Sequence, residues 1–292
     1  MLTKSRLKSL QALISMVDEP DDKVYLSLKN QVLSFEEDAL PTIEEAWMAA
    51  TDLLVASRLE ELIEEINFRM VYNRLSTWIE EGSKDLIKAM FLINRLANSS
   101  FNESLYQANI EHLFKDAWLE MNDNLTALEK TKVLNHIFFS VHKYKSNSDS
   151  HNNVQDFFIS HLLETKEGNP TSMGILYLSI AQYLKLPVFG VNLPGHLILT
   201  FLDDRHFLKK DINYVREDVL FYINPFNSGA VFTESEIDLY IKQVKLNSKE
   251  HYFLPTSNQQ IIKRYLRELQ KAYSRDNNEL QSNYINKLLE LF

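Results

Sequence analysis

The chain has 292 residues, 45% hydrophobic and 24% charged, and its 31 Lys plus Arg against 40 Asp plus Glu give a net charge of −9. That acidic balance, with no basic stripe, offers no field for phosphates and excludes nucleic acid as a partner. Zero cysteine excludes disulfides, thiolate metal sites and thiol catalysis together, and no apolar run approaches the ~20 residues of a membrane span, so a cytoplasmic location is expected.

Residues 1–145 read as nearly continuous helix. Leu7, Leu10, Leu13, Ile14 and Val17 recur at helical spacing and stop at Asp18–Asp22. A second stripe, Val24, Leu28, Val32 and Leu33, precedes Leu40-Pro41, and this pair around an aspartate-proline turn resembles one HEAT-type unit. Further helices are predicted at 58–81, 85–97, 103–121 and 126–144. Trp47, Trp78 and Trp118 are expected in packing, and the pairs Glu60-Glu61, Glu64-Glu65 and Glu80-Glu81 on solvated faces. Ser146–Asn153 is the clearest polar loop, read as a domain boundary or as a loop crossing the face of the next domain. A buried helix over about 171–185 follows, then strands at 188–193, 196–203 and 219–224, with Asp203–His206 as a hairpin turn and Lys209–Arg216 as a loop. Helices return at 233–246, 258–274 and 277–291. The pattern predicts an α+β, mostly helical fold: a helical region 1–145, a core of helix plus small antiparallel sheet at 146–250, and C-terminal helices at 251–292.

Five of six glycines and four of seven prolines fall between residues 168 and 229, so the sharply specified turns are concentrated there. Asn169 is a good helix N-cap and Pro170 suits the first helical position. The bland reading is a well-made helix start; the sharper one is a helix N-terminus whose amides and dipole serve a nucleophile. His196 opens a strand in which alternation puts His196, Ile198 and Thr200 on one face; a lone histidine there is ordinarily a hydrogen-bonded core residue. Asn224 ends the next strand before a proline, the usual place of a turn residue. Taken together they stand in nucleophile–base–orienter order.

Gly168-Asn169-Pro170-Thr171-Ser172, the buried helix, Leu186 to His196, and Asn224-Pro225-Phe226-Asn227-Ser228-Gly229 resemble the SirB-type branch of the transglutaminase-like superfamily. The helical first half is similar to that family's N-terminal part. The tail from His251 is similar to a segment that leads into TPR-like helices, here cut short. The resemblance implies a cysteine-protease-like core whose cysteine position falls on Pro170, histidine on His196 and aspartate on Asn224. Nucleophile and orienting charge are thus both substituted, which puts thiol acyl transfer out of reach. Thr171 and Ser172 are the hydroxyls close by. Ser172 lies two residues past the cysteine position, about 200° around the helix at ~100° per residue. His136, His142 and His161 lack zinc-type spacing, and no phosphate loop or dinucleotide fingerprint occurs, so neither metal nor cofactor is expected.

The leading expectation is a non-catalytic binding or regulatory scaffold. Its remnant cleft (Asn169, Pro170, Thr171, Ser172, Asn192, His196, Asn224) would take a protein or peptide. The alternatives are a weak Ser172/His196 hydrolase or acyl transferase, and a helical adaptor.

Overall fold

A computed structural model describes residues 2–98, 101–147, 153–203 and 214–292. Most of the polar loop expected at 146–153, the turn at 204–206 and residues 209–213 lie outside the described residues. The chain divides into two compact units, Met1–Thr77 with Arg95–Phe101, and Trp78–Asn94 with Asn102–Phe292.

The first unit holds α1 (Lys4–Ile14), α2 (Asp22–Leu33), α3 (Leu40–Ala49) and most of α4 (Leu53–Glu80). The Asp21 carboxylate caps α2 by accepting from the Lys23 and Val24 amides. Leu10, Leu28, Val32, Ile43, Leu59 and Leu62 form the core, whereas Val24 of the expected stripe is exposed. Arg58 locks the acidic turn: its guanidinium donates to Val17 O (2.8 Å) and Glu19 O (2.7 Å) and stacks 3.9 Å over Tyr25. Lys29 bridges Glu61 (2.7 Å) and Glu65 (3.0 Å), so these glutamates neutralise a neighbouring helix's cation rather than stand as acid–base pairs.

The second unit is built from α5 (Leu86–Asn94), α6 (Glu103–Glu120), α7 (Ala127–Asn135) extended by a π-turn (His136–Val141), and α8 (Ile159–Thr165). Then follow the buried helix α9 (Pro170–Tyr183), α10 (Glu234–Gln243), α11 (Asn258–Arg275) and α12 (Glu279–Leu289). A parallel ladder two residues long joins β1 (Lys145–Ser146) to β2 (Glu167–Gly168). The main sheet is antiparallel in the order β3 (Val188–Leu193), β4 (His196–Leu202), β5 (Val219–Asn224), β6 (Ala230–Phe232). The architecture is the mostly helical α+β one expected. The very short β1, β2 and β6 were not anticipated, because two or three residues carry no alternation to read.

Every residue of α9 from Thr171 to Ala181 is buried, as its all-round apolar pattern requires. Gly174 lets the sheet approach: a Cβ there would sit 3.0 Å from Leu197 Cδ2. Cross-strand pairs share a face, so Gly190, Asn192, Leu197 and Leu199 look toward α9 and α11. Val191, Leu193, His196 and Ile198 look the other way, where Ile237 and Ile241 of α10 complete a second core with Tyr222. Of the three tryptophans only Trp78 is in the core, its Nε1 donating to Asp85 O (2.7 Å); Trp47 is 43% and Trp118 62% exposed. The expectation of packing for all three is corrected: both exposed rings stand on solvent-facing positions of α3 and α6. Among the described residues no helix is long and apolar enough to cross a membrane.

Asn135, at the end of α7, ties this unit together. Its Nδ2 donates to Gly229 O (2.8 Å) and its Oδ1 accepts from the fully buried Tyr177 hydroxyl (2.8 Å). Gly229 has φ +70°, and a Cβ there would overlap the Asn135 amide. Gly229→Ala is therefore expected to cost about 2–4 kcal/mol, through both the left-handed backbone and the clash. Urea denaturation of the two proteins measures it, and a loss within error of zero would contradict the packing described.

Candidate functional site

The amino end of α9 opens on a cavity of about 130 Å³. Asn169, Pro170 and Gly195 line it on one side, and Glu268, Lys271 and Arg275 of α11 on the other. The Asn169 carboxamide oxygen accepts from Ser172 N (2.8 Å), and Pro170 takes the first helical position, where no amide hydrogen is needed. Thr171 Oγ1 donates to Glu268 Oε2, which brings a carboxylate to the positive end of the helix. Glu268 Oε1 lies 2.8 Å from Arg264 Nε, and Arg264 Nη1 donates to Asn192 Oδ1 (2.6 Å) and Leu193 O (2.7 Å). Thr171, Glu268, Arg264 and Asn192 thus form one chain of polar contacts from α9 through α11 to the β3–β4 hairpin.

The structure puts Thr171 and Asn192 on this chain and Asn169 and Pro170 on the cavity lining. It places the other expected residues differently. Ser172 is fully buried, and its hydroxyl donates to Asp156 O (3.0 Å) and Asn169 O (3.3 Å). Asn224 Oδ1 accepts from the Phe226 (3.1 Å) and Asn227 (3.3 Å) amides, capping its own turn. His196 stands on the sheet face turned from α9, its ring edge-on to Tyr240 with centroids 5.2 Å apart. The Tyr240 hydroxyl donates to Pro194 O (2.8 Å) and holds the hairpin, where Gly195 has φ +79°. Gly195, not His196, lines the cavity.

Reading the sequence missed Arg264, Glu268, Lys271 and Arg275. Their signal was present: they recur every three or four residues on α11, along one flank of the buried face of Ile261, Ile262, Leu266 and Leu269. With one carboxylate, two cations and no imidazole, the cavity's donors suit no transition metal.

Beneath the helix start lies Asp156, whose side chain is almost wholly buried. It sits 3.2 Å from His161 Nε2 and accepts from Asn147 Nδ2 (3.3 Å). Burial lifts its carboxyl above the usual range, with His161 and Asn147 pulling it back. A carboxyl raised in the folded state contributes stability below its unfolded pKa and loses it as pH rises through the folded value. Relative to Asp156→Asn, the wild type is therefore expected to lose stability as pH rises above about 4. Thermal melts of both proteins from pH 3.5 to 7 test this, and a difference independent of pH would refute it. Arg264→Met leaves Leu193 O, Asn192 Oδ1 and Glu268 without their cation and is expected to cost about 3 kcal/mol. Adding Glu268→Gln should cost less than the sum of the two single changes, as a double-mutant cycle by denaturation would show.

A family model described as transglutaminase-like superfamily matches residues 104–267. A UPF0162 protein of Xylella fastidiosa (strain 9a5c) is 22% identical over 71% of this chain and 71% of its own length. A UPF0162 protein of Buchnera aphidicola subsp. Schizaphis graminum is 24% identical over 73% and 76%. F-box only protein 21 of Homo sapiens is 30% identical over 38% of this chain, a stretch that makes up 17% of that longer protein. No solved structure matches. With more than half its length in the family match, and with a buried helix whose amino end meets an antiparallel sheet, the chain belongs to the transglutaminase-like superfamily.

Proposed function

We propose that this is a non-catalytic, SirB-type member that acts as a cytoplasmic binding or regulatory scaffold through the cleft at the start of α9. One observation carries the reading. By the resemblance of Gly168–Ser172 the family's nucleophile position falls on Pro170, and the next serine, Ser172, is fully buried and donates its hydroxyl to backbone carbonyls. A serine nucleophile needs a base within hydrogen-bond reach and a group orienting that base. His196 faces Tyr240, and the Asn224 oxygen is taken by turn amides, so neither role is supported.

What the cleft offers instead is recognition. Lys271 and Arg275 stand at the positive end of α9, beside a Glu268 already paired with Arg264 and Thr171. A cavity of about 130 Å³ suits one side chain or a chain terminus rather than a folded surface. These features favour an acidic peptide group, either a carboxylate side chain or a C-terminus. A fluorophosphonate probe is expected to leave the native protein unlabelled; labelling abolished by Ser172→Ala would reinstate the hydrolase. In titrations against an acidic peptide library, Lys271→Glu with Arg275→Glu should weaken binding about tenfold or more, and His196→Ala should not. Absence of any binder sensitive to the α11 charges would end the cleft reading.

A second reading, a helical adaptor, is favoured by the first unit. Trp47, Met48, Leu53 and Leu54 are all exposed where α3 gives way to α4, with Leu53 at 88%. Partner capture lost in Met48→Glu with Leu53→Glu, but kept in the α11 charge variant, would transfer the role there.

A further inference from the structure

Away from the cleft, three side chains from two helices converge on one point. On α6, His112 and Asp116 stand one turn apart and so share a face. His142 comes from the other side, placed by the π-turn that extends α7. Its amide donates to Ile137 O (2.9 Å), five residues back, which ends the helix with the ring turned onto α6. One carboxylate oxygen, Asp116 Oδ2, lies 2.8 Å from His142 Nε2 and 3.3 Å from His112 Nδ1. The three donor atoms all fall within 4.8 Å of one another.

We infer that His112, Asp116 and His142 form a binding site for a divalent transition metal ion of the zinc type. Bonds of about 2.0–2.2 Å to nitrogen and oxygen put neighbouring donors around one ion about 3–3.5 Å apart. Of the two separations to Asp116, 3.3 Å falls in that range and 2.8 Å just below it, and the third side, between the two imidazoles, is no longer than 4.8 Å. Two imidazoles and a carboxylate suit zinc, cobalt, nickel or copper rather than magnesium or calcium, which prefer oxygen alone. Three protein ligands leave a coordination position for water, and the site is open on that side: the His112 side chain is 71% exposed, against 26% for Asp116 and 13% for His142.

Two rings flank the inner ligand. The His142 ring lies nearly parallel to that of Tyr144, with centroids 6.4 Å apart, and meets His112 at a steep angle 5.6 Å away. Lys166, whose ammonium donates to the Tyr144 hydroxyl (3.2 Å), brings a cation to this side and repels the incoming ion. The affinity expected is therefore micromolar rather than that of a structural zinc site. The histidine spacings weighed in the sequence did not include His112, whose partner in the i, i+4 pair is an aspartate.

Tag-free full-length protein, stripped with a chelator, is titrated calorimetrically with zinc chloride and, in parallel, with cobalt chloride under visible absorption. One zinc ion per chain and the d–d bands of low-coordinate cobalt are expected, with magnesium giving neither. His112→Ala leaves an exposed surface position and a normal circular dichroism spectrum, yet should weaken zinc about tenfold or more, as should His142→Gln. His136→Ala should change nothing. No stoichiometric binding, or binding untouched by His112→Ala, overturns the assignment.

Discussion

The second unit is organised around one electrostatic constraint, the burial of the amino end of α9. A helix buried from Thr171 to Ala181 leaves its first amides and the positive end of its dipole in a poor solvent. In a cysteine enzyme a helix start of this kind holds a thiolate. Here the same field is met by the Asn169 carboxamide and, through the Thr171 hydroxyl, by the Glu268 carboxylate. Glu268 in turn needs Arg264, and Arg264 reaches Asn192 and Leu193 O of the hairpin. α11 is therefore a wall of the cleft, placed there by charge as well as by the apolar face it sets against the core.

Much of this was legible in the sequence, and the boundary of what was not has a physical cause. The all-round apolar pattern marked α9 as buried, Asn169-Pro170 marked its start, and alternation grouped His196 with Ile198. Which sheet face meets the helix was not legible, since both faces are apolar. It is decided by Gly174 admitting Leu197, a contact between distant segments. The Thr171–Glu268 bond spans 97 residues and leaves no local trace. Asn224 caps its own turn, as the plain reading has it, while His196 is half-buried and set edge-on to Tyr240. The exposed Trp47 and Trp118 mark the opposite limit, because ring type alone does not say which way a helix turns.

On the proposed reading, in which Pro170 stands at the nucleophile position, the proline does more than lack a sulfur atom. Acyl transfer depends as much on amides aimed at the developing oxyanion as on the nucleophile. Proline at the first helical position carries no N–H, and the Ser172 amide is already bonded to Asn169. Two of the first three residues of α9 thus have no backbone donor to offer a substrate carbonyl. Restoring a nucleophile alone would leave that deficit in place. Lys271 and Arg275, beside a Glu268 already paired with Arg264, leave the cavity lining positive at the start of α9.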